Sequence, residues 1–130
     1  MNPARPAHLE FGAEGERLAA AYLERLGWRI LDRNVRIGRG ELDIAAMDGD
    51  ELVVVEVRAR KVGRLMPAEA SVGPKKLRSL IATARRYVQR IAYDGCWRID
   101  VVAVTADDAG RVHIERYPDA TMGMEGGFMG

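Results

Sequence analysis

The sequence is poor in soft metal ligands. A single cysteine, Cys96, and two histidines, His8 and His113, stand among 130 residues. One cysteine excludes an internal disulfide framework and any multi-cysteine zinc site, and the two histidines lie too far apart to pair at ligand spacing. Long apolar runs are missing as well. None approaches the ~18 residues that a membrane span needs, and Met1 to Leu9 lacks the apolar centre of a signal peptide. A cytoplasmic protein without a membrane partner is therefore expected. Strong charge of either sign is also lacking. Twenty basic residues stand against nineteen acidic ones, a formal net charge of +1, which counts against a polyanion binder over the whole surface but permits a locally basic face.

What is there is ordinary for a globular domain: 48% hydrophobic and 30% charged residues. A chain of this length buries roughly two-thirds of its unfolded surface as one domain. No internal repeat interrupts it. From Pro118 onward the sequence turns glycine- and methionine-rich and loses all periodicity, so residues 1–118 read as the domain and 119–130 as a mobile tail.

The element order is legible. Apolar Ala19, Tyr22, Leu23 and Leu26 follow helical spacing from Gly12 onward, and Gly27 suits the helix end. Trp28 to Arg36 reads as a strand with Trp28 and Ile30 on one face. Glu41 to Asp48 and Glu51 to Arg60 flank Gly49-Asp50, a glycine-first turn that closes a hairpin. Lys61 to Gly73 is a loop. Pro74 opens a second helix, with Leu77, Leu80, Ile81, Ala84, Val88 and Ile91 as its buried stripe. Trp97 to Thr105 and Arg111 to Tyr117 are two further strands, separated by a turn at Asp107 to Gly110. The sum is an α/β protein of order α-β-β-β-α-β-β, a mixed sheet flanked by helices.

The hairpin carries the sharpest expectation. With Gly49-Asp50 as a two-residue turn, Asp48 faces Glu51, and pairing outward sets Ile44 against Val55, Asp43 against Glu56, Leu42 against Val57 and Glu41 against Arg58. Alternation then puts Leu42, Ile44, Ala46, Val53, Val55 and Val57 on one apolar core face. The other face runs Met47, Leu52, Ala45 and Val54 before turning to Asp43, Glu56, Glu41 and Arg58. Two carboxylates across a strand pair sit about 5 Å apart, where they repel by roughly 3 kcal/mol at an effective dielectric near 20. A divalent cation, Mg²⁺ or Mn²⁺, would offset that cost. A solvated strand end, with Glu41 paired to Arg58, would account for the same residues.

Two further features bear on that choice. Glu16 extends the inward stripe of the first helix where an apolar residue is expected, and Gly12 and Gly15 would let that helix end approach the sheet; a first-turn acid favouring the helix dipole is the plainer reading. Between Glu56 and Arg90, ten basic residues, Arg58, Arg60, Lys61, Arg64, Lys75, Lys76, Arg78, Arg85, Arg86 and Arg90, stand against Glu56 and Glu69 alone. Cations beside an acidic metal pocket suit phosphate binding, although a solvated helix face would look similar. Gly38-Arg39-Gly40 lacks the spacing of a phosphate loop, and Ser71 and Ser79 lack a nucleophile elbow. Cys96 is expected to be buried filler, and Asp100 to be a structural hydrogen-bonding group.

The strings Gly15-Glu16, Gly40-Glu41-Leu42-Asp43-Ile44-Ala45, Val54-Val55-Glu56-Val57-Arg58-Ala59-Arg60 and Arg98-Ile99-Asp100-Val101-Val102 together closely resemble the bacterial YraN-like family. That family is placed in the PD-(D/E)XK nuclease superfamily, whose restriction-endonuclease-like fold is similar to that of archaeal Holliday-junction resolvases. The match covers roughly residues 8 to 118. The resemblance implies a Mg²⁺- or Mn²⁺-dependent endonuclease acting on nucleic acid, with branched or flapped DNA as substrate. It assigns Asp43, Glu56, the Val57 carbonyl and Glu16 to the metal and Asp43, Glu56 and Arg58 to catalysis, while the charge segregation offers Arg60, Lys61, Lys75, Lys76 and Arg78 to grip nucleic acid. Arg58 departs from the superfamily's pattern, which has lysine there; arginine keeps its proton and cannot be a base. Symmetric junction cutting would require a homodimer. The rivals are a non-catalytic nucleic-acid-binding module of the same fold and an adaptor that uses the basic helix for an acidic partner.

Overall fold

A computed structural model describes residues 7–60 and 72–120. The first helix, α1 (Ala7–Arg25), begins earlier than the apolar periodicity indicates, because residues 7–11 contain no helix breaker. It ends at Gly27, whose φ of +92° lets the Gly27 amide return to the Glu24 carbonyl at 2.9 Å and the Trp28 amide to that of Leu23 at 3.1 Å. This double bond is the Schellman stop.

The chain then runs through an antiparallel meander, β1 (Arg29–Ile37), β2 (Gly40–Asp48) and β3 (Glu51–Arg60). Helix α2 (Pro74–Arg90) carries it across so that β4 (Trp97–Ala106) lies parallel to β3, and β5 (Val112–Tyr117) pairs antiparallel at the far edge. The five strands stand in sequence order in one mixed sheet. This is the expected α-β-β-β-α-β-β order, and it is consistent with a restriction-endonuclease-like α/β fold. No helix among the described residues is long and apolar enough to cross a membrane.

The sheet is covered on both sides. On one, Ala19, Ala20 and Leu23 of α1 pack with Trp28, Ile44, Ala46, Val53, Val55, Val102 and Val104. On the other, Leu77, Leu80, Ile81, Ala84 and Tyr87 of α2 pack with Leu42, Ala45, Leu52, Val54 and Ile99. The expectation of a single apolar hairpin face is therefore corrected: Leu52 to Val55 are all buried, as a central strand between two helix layers should be. In α2, Tyr87 is a buried anchor that the expected apolar stripe does not include. Ile91 is 38% exposed, because the helix stops at Arg90 and the side chain falls in the turn.

The turn chemistry sets the hairpin register as expected. Gly49 has φ of +61°, and the pairs run from Asp48 and Glu51 to Ile44 and Val55. There the ladder ends. Leu42 packs with Ala45 and Val54 on the α2 side instead of with Ile44, so it never faces Val57 across a ladder. The strict alternation fails at Asp43; across from it in β1, Asn34, between the partners of Ile44 and Leu42, takes the left-handed backbone that asparagine tolerates, while the register of β1 itself shifts earlier, between Ile30 and Asp32. At the other end of the chain, the Ala120 amide bonds the Ile99 carbonyl at 2.6 Å, so the chain stays tied to β4 two residues past Pro118. Residues 121–130 of the expected tail lie outside the described residues.

Candidate functional site

Where the β2–β3 ladder stops, the two strands fork, and the backbone amide of Val57 needs another acceptor. Asp43 provides it: its Oδ2 accepts the Val57 N–H at 2.8 Å. The same carboxyl stands beside Glu56, the next residue back along β3, close enough for its charge to act on it. The expected neighbours are therefore neighbours, brought together by a side chain that caps a backbone group and not by ladder pairing. Glu56 is 8% exposed. Its pKa is pushed up to about 7, first by burial and then by the charge of Asp43, against the partial relief of Lys76 and Arg58.

Lys76, in the first turn of α2, pairs with this acid, its Nζ 3.6 Å from Glu56 Oε2. The lysine side chain is more than half exposed, so water screens the pair. From the sequence, Lys76 is expected among the phosphate-gripping residues, and its bond to Glu56 is not foreseen; a basic first turn, where the helix dipole disfavours it, is the signal that could have shown it. Glu41 pairs with Arg36 at 3.8 Å on the exposed side of the meander, where Arg58 was the alternative expectation.

Glu16 reaches the same region from α1. Its carboxyl is held above the ordinary range by burial first and by the charge of Asp43 second. Its Oε1 is buried without a hydrogen-bond partner. Gly15 makes the approach possible: a Cβ there would stand 2.7 Å from the Ala59 Cβ of β3, whereas one on Gly12 would meet nothing. Only one of the two expected glycines has that role. A second close approach, not expected from the sequence, lies at Gly40, where a Cβ would collide with Thr83 Oγ1 of α2. Both helices are thus brought against the strand ends that carry the acids.

The site can offer hard oxygen donors: the carboxylates of Asp43 and Glu56, the Val57 carbonyl, and Glu16 behind them. Among the described residues no three acidic, histidine or cysteine side chains converge closely enough to share one ion. A Mg²⁺ ion held here would have fewer than three such side chains and would keep water in the rest of its shell. Of the expected nucleic-acid contacts, Arg60 is exposed at the end of β3, and Lys75, Lys76 and Arg78 are exposed on the first turns of α2; Lys61 lies outside the described residues. Cys96 is exposed and not buried filler, since it sits in the bend before β4 where nothing covers it.

Residues 15–104 match the model of the Uncharacterised protein family UPF0102. The chain belongs to the UPF0102 family. The match takes in Glu16, Asp43, Glu56, Arg58 and all of α2, and it is the family to which the YraN-like strings pointed. A UPF0102 protein of Anaeromyxobacter dehalogenans is 46% identical over 112 residues, 84% of this chain and 81% of the relative. One from an Arthrobacter species is 49% identical over 109 residues, covering 80% and 89%. A UPF0102 protein of Cytophaga hutchinsonii is 38% identical over 101 residues, covering 78% and 89%.

Proposed function

We propose that the chain is a Mg²⁺- or Mn²⁺-dependent endonuclease of the PD-(D/E)XK superfamily, cytoplasmic, hydrolysing phosphodiester bonds in branched or flapped DNA. One observation carries the reading: Asp43 caps the Val57 amide beside Glu56 at the fork of β2 and β3, where a screened Lys76 and the charge of Arg58 relieve the two acids only in part. An acid pair left under-compensated in this way is what a divalent cation relieves, and the unpartnered buried oxygen of Glu16 supports the same conclusion. Asp43, Glu56 and the Val57 carbonyl would hold the ion, with Glu16 reaching it through water. Once bound, it would supply an activated water and neutralise charge on the scissile phosphate.

The chain's own groups divide the remaining work. The Val57 amide fixes the aim of Asp43. As an arginine in place of lysine, Arg58 can neutralise a phosphate oxygen with its planar fork but is not a base for water. Arg60, Lys75, Lys76 and Arg78 flank the acids and suit neighbouring phosphates, which makes binding salt-dependent. Cutting a junction symmetrically needs two such sites, so this substrate implies a homodimer.

Arg58 in place of lysine favours one rival, a nucleic-acid-binding module of the same fold without turnover. Incubation with branched, flapped and linear DNAs in Mn²⁺, Mg²⁺ or EDTA separates the two. The enzyme predicts metal-dependent cleavage that Asp43→Ala abolishes and Arg58→Lys retains or raises. If neither the natural protein nor Arg58→Lys cuts any substrate, the binding module takes its place.

A further inference from the structure

Beside the acid pair, a trough runs between the β1–β2 turn and the outer side of α2. It consists of two adjoining hollows of about 280 and 260 Å³ that share Arg39, Gly40, Ser79 and Thr83. The nearer one is closed by Lys76, which also holds Glu56; the farther one is closed by Arg86. The floor is glycine backbone because α2 presses so closely on Gly40. Thr83 turns its hydroxyl proton back to the Ser79 carbonyl at 3.0 Å, and Ser79 lines both hollows.

The electrostatics of the trough are lopsided. Helix α2 contains six basic residues and no acidic one. Among the described residues no carboxylate pairs with Arg39 or Arg86, while Glu41, the one acid on the rim, is engaged by Arg36. Arg86 is not a loose surface cation, since its Nη1 sits 2.6 Å from where a Gly38 Cβ would be. A guanidinium seated on a turn, with a second on the turn's tip and a hydroxyl between, presents mainly donors to an anion, and the one carboxylate on the rim, Glu41, is paired with Arg36. From Lys76 to Arg86 the helix rises about 15 Å, on the order of four nucleotide steps along a duplex.

We infer that this trough is the track for the phosphodiester backbone of the strand being cut, with Arg39 and Arg86 holding phosphates several nucleotides from the acid pair. This rests on the nuclease reading and adds the direction in which the strand leaves the site. Gly38-Arg39-Gly40 thus contributes a cation and a close backbone, without the spacing of a nucleotide-binding loop.

The test measures binding of a fluorescent DNA duplex by anisotropy, in EDTA and across a salt series. The double variant Arg39→Ala/Arg86→Ala should bind about tenfold more weakly at low salt, and its log-log salt slope should fall by about 0.9 for each phosphate that is no longer neutralised. Arg39→Ala alone, at an exposed turn, should show about half of that effect while melting like the natural protein. Arg86→Lys should keep the slope. If the double variant is folded and binds like the natural protein while Lys75→Ala/Lys76→Ala/Arg78→Ala binds more weakly, the track is wrong and the nuclease reading stands. If both variants bind like the natural protein, the phosphate contacts lie elsewhere and the track is wrong; if the natural protein itself does not bind the duplex, DNA is not the ligand and both readings fall. Competition by millimolar inorganic phosphate at fixed ionic strength distinguishes the source of the anion. Displacement of the duplex that depends on Arg39 and Arg86 would mark a site for free phosphate and overturn the track, whereas indifference to inorganic phosphate supports it.

Discussion

The sheet carries two buried carboxylates, one on each face, and they are treated in opposite ways. Asp100, on the α1 side, is fully buried and saturated. It accepts from Arg98 at 2.9 Å, from Arg116 at 3.0 Å and from the Asp119 amide at 2.8 Å. Arg98 in turn reaches Asp48 at 3.1 Å and Glu51 at 2.5 Å, across the Gly49-Asp50 turn. Burial opposes the charge on Arg98, but these carboxylates, Asp100 foremost, outweigh it and hold the proton more tightly than usual. Both guanidiniums lie over the Trp28 ring, 5.4 and 5.3 Å from its centre. Glu56, on the α2 side, has a second acid beside it and only partial relief from Lys76 and Arg58. A protein able to gather two guanidiniums and a backbone amide around Asp100 has the means to do the same at Glu56. That it leaves Glu56 short is a strained feature of the kind found where function overrides stability.

The largest expected effect comes from breaking the saturated cluster. Arg98→Ala leaves Asp100 buried with Arg116 as its only guanidinium and should cost about 3–5 kcal/mol in denaturant unfolding. A loss under about 1 kcal/mol would mean that Asp100 is rescued by water, and the contrast with Glu56 would weaken.

The next effect has the opposite sign. A carboxyl whose folded pKa lies near 7, above its ordinary 4.5, binds more protons in the folded state between those two values. Stability should therefore fall as pH rises through that window. The full penalty, up to about 3 kcal/mol, stands above pH 7. Glu56→Gln should remove it, raising stability at pH 8 and flattening the profile between pH 4.5 and 7. Equal stabilities of variant and parent at pH 8 would show that Glu56 is as well served as Asp100.

The smallest shift sharpens the same contrast. Mn²⁺ at ten times its dissociation constant should stabilise the folded protein by about 1.4 kcal/mol. The gain should shrink below pH 7, where the ion must displace a proton from Glu56, and vanish in Asp43→Asn. A gain that survives in that variant would place the ion elsewhere.

Local features were legible in the sequence. Gly49-Asp50 pointed to the register through Ile44 and Val55, Gly27 to the end of α1, and Pro74 to the start of α2, because turn and cap geometry depend on residues a few positions apart. The acids were legible as neighbours by extending that register, although the ladder stops at Ile44 and Val55 and Asp43 stands beside Glu56 by capping the Val57 amide instead. What was hidden depends on contacts between distant segments. Nothing near Leu42 announces the left-handed backbone of Asn34 in the neighbouring strand, nor that a carboxyl will replace the ladder at Val57. Tyr87 donates to Asp32 at 2.5 Å, 55 positions away. Gly40 is required by Thr83, and Arg98 gathers acids from a hairpin turn that lies far earlier in the chain. Periodicity carries no information about such partners.

The parallel pairing of β3 with β4 has a consequence for the order in which the molecule assembles. The β1–β3 meander joins its strands through short turns, whereas β4 arrives only after the chain from Lys61 through α2 has been closed into a large loop, a slow step with a high entropic cost. Asp100 must enter the interior at that late stage. It does so with Arg98 two residues away on the same strand, so the charge brings its main counterion with it and need not wait in the apolar layer for a partner. Asp43 and Glu56, by contrast, belong to the meander itself, so loop-closure entropy favours their meeting before the basic helix docks.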